Sequence, residues 1–553
     1  MNVADGLVIA LQRLGVTHVF GLPGSTEGPL LDALSRVDSP RYILGLHENI
    51  VTAMADGYAR VSGRLGVVSL HTSVGSGNAI SQLMNSSIDR SPVVALVGHK
   101  DSGIANRDGF CTIEDLPGLF RPFTKWSRQV ELPELAVEDL YRAASIAAAA
   151  PTGPVALIVT EDRARAAYDS GPDTGRHATV LPLTSGYRPD DATIARALST
   201  IASADRPVII AGDGVSSSGA FAELEAFASA ISAVVLQEPR RSAARMNVDT
   251  RDPSFCGEYD VTHPAVRDAD LIISLGARVF VEFEPMPRDE LPAGIPFLHV
   301  HEDITELGKR YVPDIAMVGT VRATLRALLD AGVVAGAGAS AATVRSFRAR
   351  HVQAITERRV GPEVEELTIA SASCIIDEML SDDAILIDEG IRSSRVLLQH
   401  LSIPASRSYH RNTGGAIGWG LPAAVGACFA QPERPVALFV GDGSALMTIQ
   451  TLWTAAQHAC DLMVLISNNR GYQAVQAAVE KHRDGRLDVP AVGAAISGPD
   501  PDFVHLAQGF GVPGVAVETA SGLRAAIAEA ASVAGPMVID MRLAAREHVG
   551  SPR

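Results

Sequence analysis

The sequence predicts an α/β protein with three doubly wound parallel-sheet domains. Short β-branched runs, such as those at residues 18–20 and 93–97, alternate with Ala- and Leu-rich helical stretches. This rhythm indicates βαβ units and a parallel sheet. The chain of 553 residues is also too long for one hydrophobic core and suits two to four domains.

Two stretches with little apolar periodicity separate the α/β blocks. Residues from about 165 to 190 are rich in Gly, Asp, Pro, Thr and Ser, and residues from about 331 to 342 are rich in Ala, Gly and Ser. Both compositions are typical of linkers. We therefore expect three domains, at 1–165, 190–332 and 345–553.

The first and third blocks have the same layout. In the first block, a strand ending near His71 is followed by a helix and by a strand ending at Gly98. In the third block, a strand ending near Gly441 is followed by a helix and by a strand ending at Asn468. Because the two blocks share little sequence identity, we interpret this as a shared plan only.

Composition and charge exclude several functions. The formal net charge of −16 argues against nucleic acid or an anionic membrane as the main partner, since both attract basic surfaces. The five cysteines are scattered and never in CxxC spacing, which indicates neither a disulfide framework nor a zinc site. We see no signal-peptide pattern and no apolar run of membrane-spanning length. We therefore expect a cytoplasmic protein.

A Gly-Asp-Gly-Ser run at Gly441, Asp442, Gly443 and Ser444 follows a predicted buried strand. In this position, backbone N–H groups can approach phosphate oxygens, and the next helix adds its positive end. Asn469 follows the next predicted strand, 469 − 442 = 27 positions after Asp442. Magnesium on a diphosphate prefers oxygen ligands, which both side chains offer. We expect them to face one crevice at the sheet edge.

A second Gly-Asp-Gly run provides an internal comparison. Gly212, Asp213 and Gly214 also follow a predicted strand, but the residue 27 positions after Asp213 is Arg240, with no Asn pair nearby. Neither run has the Lys-Ser/Thr ending of a P-loop, and neither completes GxGxxG. We therefore predict that the 212 run is a structural turn and that the 441 run binds a phosphate group.

Residues 441–472 resemble the thiamine-diphosphate fingerprint of the 2-oxoacid decarboxylase and acetolactate synthase superfamily, and the resemblance extends over nearly the whole chain. It implies a pyrimidine-binding first domain and a third domain that binds diphosphate and magnesium. It also implies that Asp442, Asn469 and the backbone carbonyl of Gly471 hold Mg²⁺. The residues it assigns to the cofactor are Gly390, Ile391, Arg392, Gly415, Ile417, Gly441, Asp442, Gly443, Ser444, Asn469 and Tyr472.

The resemblance also assigns the residue that activates the cofactor. Glu48 follows a predicted strand at 42–44 and matches the family's activating Glu, while Gly415 and Ile417 match the segment that supports the pyrimidine ring. From the residues alone, Glu48 could instead complement a helix dipole, and Ile417 could be core. The family places this Glu and the diphosphate anchor on different subunits. We therefore expect at least a homodimer, and a homotetramer as the full assembly.

Two further residues are similar to the benzoylformate decarboxylase branch of this superfamily, in which a Ser and a His face the substrate. Ser25 would hold the substrate carboxylate, and His71 would relay protons near neutral pH. From the residues alone, Ser25 could be an N-cap and His71 a structural group. The chain departs from the branch at Phe283, where a second His is expected. It departs again at Ala477 and Ala478, where an aromatic pair lines the acyl pocket.

The function we expect is non-oxidative decarboxylation of a 2-oxoacid with thiamine diphosphate and Mg²⁺, which releases an aldehyde. The alternative is a carboligase, acyloin-forming or acetolactate-synthase-like, which couples the acyl group to a second carbonyl substrate. Against ordinary acetolactate synthase, 108–112 lacks the expected Gln and 276–278 lacks the following acidic pair. Both features also argue against FAD. A non-catalytic binding subunit is disfavoured because Glu48, Asp442 and Asn469 are intact.

Overall fold

The computed structural model describes residues 1–104, 107–169, 186–282, 289–361, 363–483 and 491–544. It contains three six-stranded sheets with flanking helices, which confirms the predicted fold class. The chain divides into two compact units. One unit comprises Met1–Pro182, Val360–Leu398 and Gly414–Arg553, and the other comprises Leu183–Arg359 and Gln399–Thr413. No helix in the described ranges is long and apolar enough to cross a membrane.

The first sheet has the strand order β2-β1-β3-β4-β6-β5, and all its pairings are parallel. Its middle strands are Val-, Leu- and Ile-rich and almost wholly buried, as expected of a parallel sheet covered on both faces. Its strands are β1 (His18–Gly21), β2 (Arg41–Leu44), β3 (Gly66–His71), β4 (Val93–His99), β5 (Trp126–Gln129) and β6 (Val155–Thr160). Its helices are α1 (Val3–Arg13), α2 (Gly28–Leu34), α3 (Glu48–Ser62), α4 (Thr72–Ile88), α5 (Leu116–Phe120), α6 (Ala136–Ala148) and α7 (Glu161–Arg165).

The central sheet is also parallel, in the order β12-β11-β10-β7-β8-β9. Its strands are β7 (Pro207–Ala211), β8 (Val234–Gln237), β9 (Phe255–Glu258), β10 (Leu271–Leu275), β11 (Phe297–His301) and β12 (Ile315–Val318). Its helices are α8 (Asp191–Ala202), α9 (Asp213–Ser217), α10 (Phe221–Ile231), α11 (Pro264–Arg267), α12 (Val321–Asp330) and α13 (Ala341–Arg358).

The second Gly-Asp-Gly run lies between β7 and α9 of the central sheet. The carboxylate of Asp213 accepts hydrogen bonds from the N–H groups of Ala244 (2.8 Å) and Arg245 (3.1 Å) and from Nδ2 of Asn247 (3.1 Å). These bonds tie down the loop after β8. The structure therefore supports the prediction that this run is structural.

In the third sheet, five strands run in the order β13-β15-β16-β18-β17. This order repeats β1-β3-β4-β6-β5 of the first sheet, which confirms the shared plan. The strands of this part of the chain are β13 (Ile385–Glu389), β14 (Ser408–Arg411), β15 (Val436–Gly441), β16 (Leu462–Asn468), β17 (Gly514–Val517) and β18 (Met537–Arg542). The helices are α14 (Ile369–Met379), α15 (Ser393–His400), α16 (Gly420–Ala430), α17 (Asp442–Thr448), α18 (Thr451–Gln457), α19 (Gln473–His482), α20 (Phe503–Gly509) and α21 (Ala520–Ala530).

Helices α3 and α16 pack closely against each other inside the first unit. Gly57 of α3 lies on the backbone of Ala423, and Gly426 of α16 lies on the backbone of Met54. At both glycines an added Cβ would overlap backbone atoms of the facing helix. One hydrophobic core continues through this contact from the first sheet to the third.

A buried group of charges also joins α3 to the segment before α16. Arg60 pairs with Asp56 (2.7 Å) and Asp89 (2.8 Å), and Nε1 of the buried Trp419 donates to Asp56 (2.6 Å). All four side chains are almost fully buried. Breaking such a buried pair leaves an uncompensated charge, which typically costs about 3–5 kcal/mol.

Candidate functional site

The carboxyl ends of β15 and β16 carry the first group of predicted site residues. Asp442, the first residue of α17, is buried. Its Oδ1 accepts a hydrogen bond from the N–H of Gly443 (2.8 Å), and its Oδ2 accepts one from the N–H of Gly471 (3.0 Å). Burial raises the pKa of Asp442, while backbone N–H groups, including those of Gly443 and Gly471, oppose this shift. A cation beside the carboxylate would stabilise its charged form.

Asn469 offers the second oxygen. Its side-chain Oδ1 is buried and accepts no hydrogen bond within the described part of the chain. An unsatisfied buried acceptor typically costs about 1–3 kcal/mol, so a bound cation would supply a missing partner. The register pairs Gly441 with Ser467, so Asp442 and Asn469 follow adjacent strand ends. This donor set of one carboxylate and one free carbonyl fits Mg²⁺.

Gly471 lies in the turn that follows Asn469. Its carbonyl accepts the N–H of Gln473 (3.0 Å), and a carbonyl has a second lone pair for another partner. The residue before it, Arg470, has a left-handed backbone (φ 59°). This conformation turns the chain sharply after β16, so that the N–H of Gly471 reaches Asp442.

The Gly-Asp-Gly-Ser run joins β15 directly to the next helix. Helix α17 begins at Asp442 itself, so Gly443 and Ser444 occupy its first turn. Gly443 is needed for packing, because an added Cβ would overlap the ring of Tyr472. At Gly441 an added Cβ would find no neighbour closer than 3.9 Å. Space is therefore open at this strand end.

The predicted diphosphate turn at residues 390–392 follows β13, the strand next to β15. The N–H of Gly390 donates to Oδ1 of Asp388 (2.9 Å), and the hydroxyl of Ser394 donates to the same oxygen (2.6 Å). Ile391 has a positive φ of 53° and an exposed side chain, while Arg392 is partly buried. The turn therefore lies at the same edge of the sheet as Asp442.

The segment with Gly415 and Ile417 precedes α16. Asn85 of α4 holds this segment, because its Nδ2 donates to the carbonyl of Ala416 (2.9 Å) and its Oδ1 accepts the N–H of Ala416 (3.2 Å). Gly415 is exposed with φ 86°, and Ile417 is partly buried. Sequence reasoning missed Asn85, which lies 331 positions from its partner.

Glu389 fixes the other end of this segment and was also missed. Its Oε1 accepts the N–H of Trp419 (3.0 Å), and its Oε2 accepts the N–H of Gly420 (2.9 Å). Burial raises the pKa of Glu389 to about 7. The carboxyl group thus satisfies N–H groups at the start of α16, which would otherwise lack partners.

In the first sheet, Glu48 is the first residue of α3 and is buried. Its Oε2 accepts a hydrogen bond from Nδ2 of Asn78 on α4 (3.0 Å). Gly75 of the same helix leaves room for the carboxylate, since an added Cβ would stand 3.0 Å from Oε1. Glu48 is therefore enclosed between α3 and α4. A residue that only complemented a helix dipole at the surface would not need this enclosure.

His71 and Ser25 lie at the same edge of the first sheet. Nδ1 of His71 is 2.8 Å from Oγ1 of Thr26 and 3.3 Å from Oε2 of Glu27. Burial, then the charge of Lys100, lowers the pKa of His71, and Glu48 opposes this shift. The imidazole is therefore neutral at pH 7. Ser25 is exposed and is not a cap, since the N-cap of its short 3₁₀ turn is Gly24.

Sequence reasoning missed Glu27 and Lys100, which surround these two residues. Oε2 of Glu27 accepts the N–H of Gly24 (2.9 Å), and burial raises the pKa of Glu27 to about 7. Nζ of Lys100 donates to Oγ of Ser25 (3.1 Å). A polar residue shortly after each of two strands of the first sheet, β1 and β4, was the available signal.

The structure describes two of the three residues at which this chain departs from the benzoylformate decarboxylase branch. Phe283 lies outside the described residues. Ala477 and Ala478 lie on α19, the helix after the Gly471 turn, where Ala477 is partly buried and Ala478 is exposed. Both small side chains stay as predicted features of the acyl pocket.

The structure places the predicted residues in two groups. Ser25, Glu48 and His71 lie at the edge of the first sheet, and Asp442 and Asn469 lie at the edge of the third. Within the described ranges, no hydrogen bond or ion pair joins the two groups.

Comparison with known protein families identifies the family to which these domains belong. Three models match: the N-terminal TPP binding domain of thiamine pyrophosphate enzymes at 1–117, their central domain at 194–328, and their C-terminal TPP binding domain at 392–541. This chain belongs to the thiamine pyrophosphate enzyme family. Thiamine pyrophosphate is another name for thiamine diphosphate, so the chain carries domains that bind the predicted cofactor.

Individual relatives in this family place the chain more narrowly. It is 31% identical to benzoylformate decarboxylase of Pseudomonas aeruginosa, over 96% of this chain and 97% of the relative. It is 28% identical to an acetolactate synthase large subunit of Parasynechococcus marenigrum, over 98% and 87%. A solved 4-hydroxybenzoylformate decarboxylase of Rhodococcus jostii RHA1 superposes with a TM-score of 0.87 at 31% identity, covering 99% and 100%. The chain is therefore an enzyme of the benzoylformate decarboxylase and acetolactate synthase family.

Proposed function

We propose that this enzyme decarboxylates a 2-oxoacid without oxidation and requires thiamine diphosphate and Mg²⁺. The observation that carries the proposal is the buried, unsatisfied Oδ1 of Asn469 at the strand end next to the buried Asp442. This pair offers two oxygen ligands at a family-matched cofactor domain. The relatives named as benzoylformate decarboxylases support the substrate class.

Asp442, Asn469 and the carbonyl of Gly471 would hold the Mg²⁺ in this proposal. The cofactor's diphosphate would meet the turn at 390–392, the open strand end at 441 and the first turn of α17, where N–H groups favour an anion. Ile417 would support its pyrimidine ring, the carbonyl of Gly415 would accept from the amino group of that ring, and Tyr472 would also bind the cofactor. When bound, thiamine diphosphate supplies the carbanion-stabilising chemistry of the reaction.

The first sheet would supply the proton chemistry and the substrate contacts. Glu48, enclosed between α3 and α4, would be hydrogen-bonded to the cofactor's pyrimidine ring. His71, neutral at pH 7, can accept a proton on a ring nitrogen and return it. The exposed hydroxyl of Ser25 would donate a hydrogen bond to the substrate carboxylate.

A carboligase is the second candidate, and a specific observation favours it. Ala477 and Ala478 present small side chains on α19, which leaves more room than an aromatic pair would. Such room suits a second carbonyl substrate. The relatives named as acetolactate synthases also support this reading.

We also propose a homodimer at least, and a homotetramer as the full assembly, because the family resemblance assigns Glu48 and Asp442 to different subunits. A cytoplasmic location agrees with the five free cysteines. The domain boundaries at 1–165, 190–332 and 345–553 stay part of the proposal.

The deciding experiment identifies products. The protein with thiamine diphosphate and Mg²⁺ is incubated with a panel of 2-oxoacids, with and without aldehydes, and the products are identified by mass. Free aldehyde supports the decarboxylase, and a coupled hydroxyketone supports the carboligase. Glu48→Gln should fold and bind the cofactor but lose nearly all turnover. Cofactor binding by the wild-type protein without consumption of any 2-oxoacid would contradict both.

A further inference from the structure

We infer that Lys100 and Ser25 together form a carboxylate-binding subsite at the edge of the first sheet. The inference rests on the proposed function, since it concerns how a 2-oxoacid is held. It adds a cationic residue to the substrate side, where the sequence predicts only Ser25 and His71.

The contact between the two side chains defines the donors that remain. Lys100 follows β4, Ser25 follows β1, and Nζ of Lys100 donates to Oγ of Ser25 (3.1 Å). The ammonium has three N–H donors, and this contact uses one of them. Because the serine oxygen accepts this bond, its own O–H can be donated to a ligand. The ammonium of Lys100 and the hydroxyl of Ser25 can therefore donate hydrogen bonds to the same ligand.

The charge at this point favours an anion. No carboxylate of the described residues lies within 4 Å of Nζ of Lys100, and its only hydrogen bond in those ranges is to Ser25. Glu27 is already held by the N–H of Gly24 and by His71. Burial raises the pKa of Glu27 to about 7 and lowers that of His71. Glu27 acts on Lys100 through its charge but does not contact it, so the ammonium keeps donors for an anion.

A carboxylate completes this arrangement better than a neutral group does. It accepts from the ammonium and the hydroxyl at once, and hydrogen bonds to charged groups are about twice as strong as neutral ones. The carboxylate has two sources in this chemistry. It is either the reacting 1-carboxylate of a 2-oxoacid or a second carboxylate at the far end of the substrate.

The alternative is that Lys100 only supports the turn at Ser25. A merely structural lysine would affect the melting temperature but would not change the affinity for carboxylates selectively. Lys100→Met removes the charge and keeps most of the length of the side chain, while Lys100→Arg keeps the charge. Lys309→Met is the matched control, because Lys309 is an exposed lysine that pairs with Glu306 (3.3 Å).

The test uses the holoenzyme and two substrates that differ only at the far end, 2-oxopentanoate and 2-oxoglutarate. Loss of a charge-assisted contact should raise KM by about tenfold or more and change kcat less. A rise for both substrates assigns the reacting carboxylate to Lys100. A rise for 2-oxoglutarate alone assigns the second carboxylate. Lys100→Arg should retain most of the affinity, and Lys309→Met should match the wild type.

Calorimetric titration with the unreactive analogues 2-hydroxypentanoate and 2-hydroxyglutarate measures the same contact without turnover. Lys100→Met should weaken the binding of at least one analogue by a similar factor. Unchanged KM and unchanged analogue affinity in Lys100→Met would overturn the subsite. If the wild-type holoenzyme binds the analogues through Lys100 but converts no 2-oxoacid of any kind, the proposed function fails and the subsite stands.

Discussion

Asn468 and Asn469 are adjacent, yet their side chains have different environments. Nδ2 of Asn468 donates to Asp540 (2.9 Å), whereas Oδ1 of Asn469 is buried without a partner in the described residues. We predict that Asn469→Ala keeps the stability of the metal-free protein but abolishes Mg²⁺-dependent binding of thiamine diphosphate. Titration calorimetry with Mg²⁺ and with a chelator measures this effect.

Asn468→Ala provides the matched control at the neighbouring position. Removal of its amide leaves Asp540 without this donor, so the free energy of unfolding should fall by about 1–3 kcal/mol with or without Mg²⁺. Equal cofactor affinity in Asn469→Ala and the wild type would contradict the metal assignment.

Glu389 predicts a pH dependence of stability. Burial raises its pKa from the ordinary 4.5 to about 7, so between these values the folded protein holds a proton that the unfolded chain releases. The free energy of unfolding should therefore fall as the pH rises from about 4.5 to about 7, by on the order of 3 kcal/mol from this residue. Glu389→Gln should make this slope shallower in urea unfolding of the apo protein.

The comparison of slopes separates titration from the loss of a contact. Glu389→Gln also loses one acceptor for the N–H groups of Trp419 and Gly420, which lowers stability at every pH. Glu433→Gln, at an exposed position, should keep the wild-type slope. An unchanged slope in Glu389→Gln would show that other groups produce the pH dependence.

Among single residues, the sequence identifies polar groups that follow a strand. Glu48, Asp442 and Asn469 could be predicted because each stands at a strand end in a recognisable local motif. Glu389 and Asn85 could not, because their importance comes from partners far along the chain. Asn85 contacts Ala416 across 331 positions, and no local pattern announces such a pair.

At the element scale, β-branched runs located most strands, but not their order or where helices start. The run at residues 441–444 illustrates the difficulty of predicting where a helix starts. Helix α17 starts at Asp442 itself, so Gly443 and Ser444 lie in its first turn. Strand order depends on which faces are covered by helices, and this depends on contacts that no single segment encodes.

The packing of α3 against α16 yields a prediction at this scale. Gly57→Ala and Gly426→Ala each place a methyl group on the backbone of the facing helix. The helices must then separate, so each variant should lose about 1–3 kcal/mol of stability. Thermal unfolding followed by circular dichroism measures the loss.

Gly509→Ala is the control for this pair. Gly509 ends α20, and an added Cβ there has no neighbour within 4 Å, so the substitution should be neutral or slightly stabilising. Melting temperatures of Gly57→Ala and Gly426→Ala equal to that of Gly509→Ala would show that α3 and α16 are not tightly packed.

The first and third sheets share one plan but carry different polar residues at their equivalent edges. The third sheet presents Asp442 and Asn469, which offer oxygen ligands, while the first presents Glu48, His71 and Ser25. No hydrogen bond or ion pair in the described ranges joins these two sets. The family resemblance implies that a second copy of the chain completes the active site.

Mixing two inactive variants tests this arrangement. Glu48→Gln and Asp442→Ala should each be inactive, because one lacks the activating carboxylate and the other lacks the metal ligand. Half of randomly mixed dimers contain one chain of each variant. If each site takes Glu48 from one subunit and Asp442 from its partner, every such mixed dimer has one intact site and one inactive site. Co-refolded or co-expressed equal mixtures should then recover about a quarter of the wild-type activity. If both residues act within one chain, no mixed dimer has an intact site, and the mixture should stay as inactive as its components.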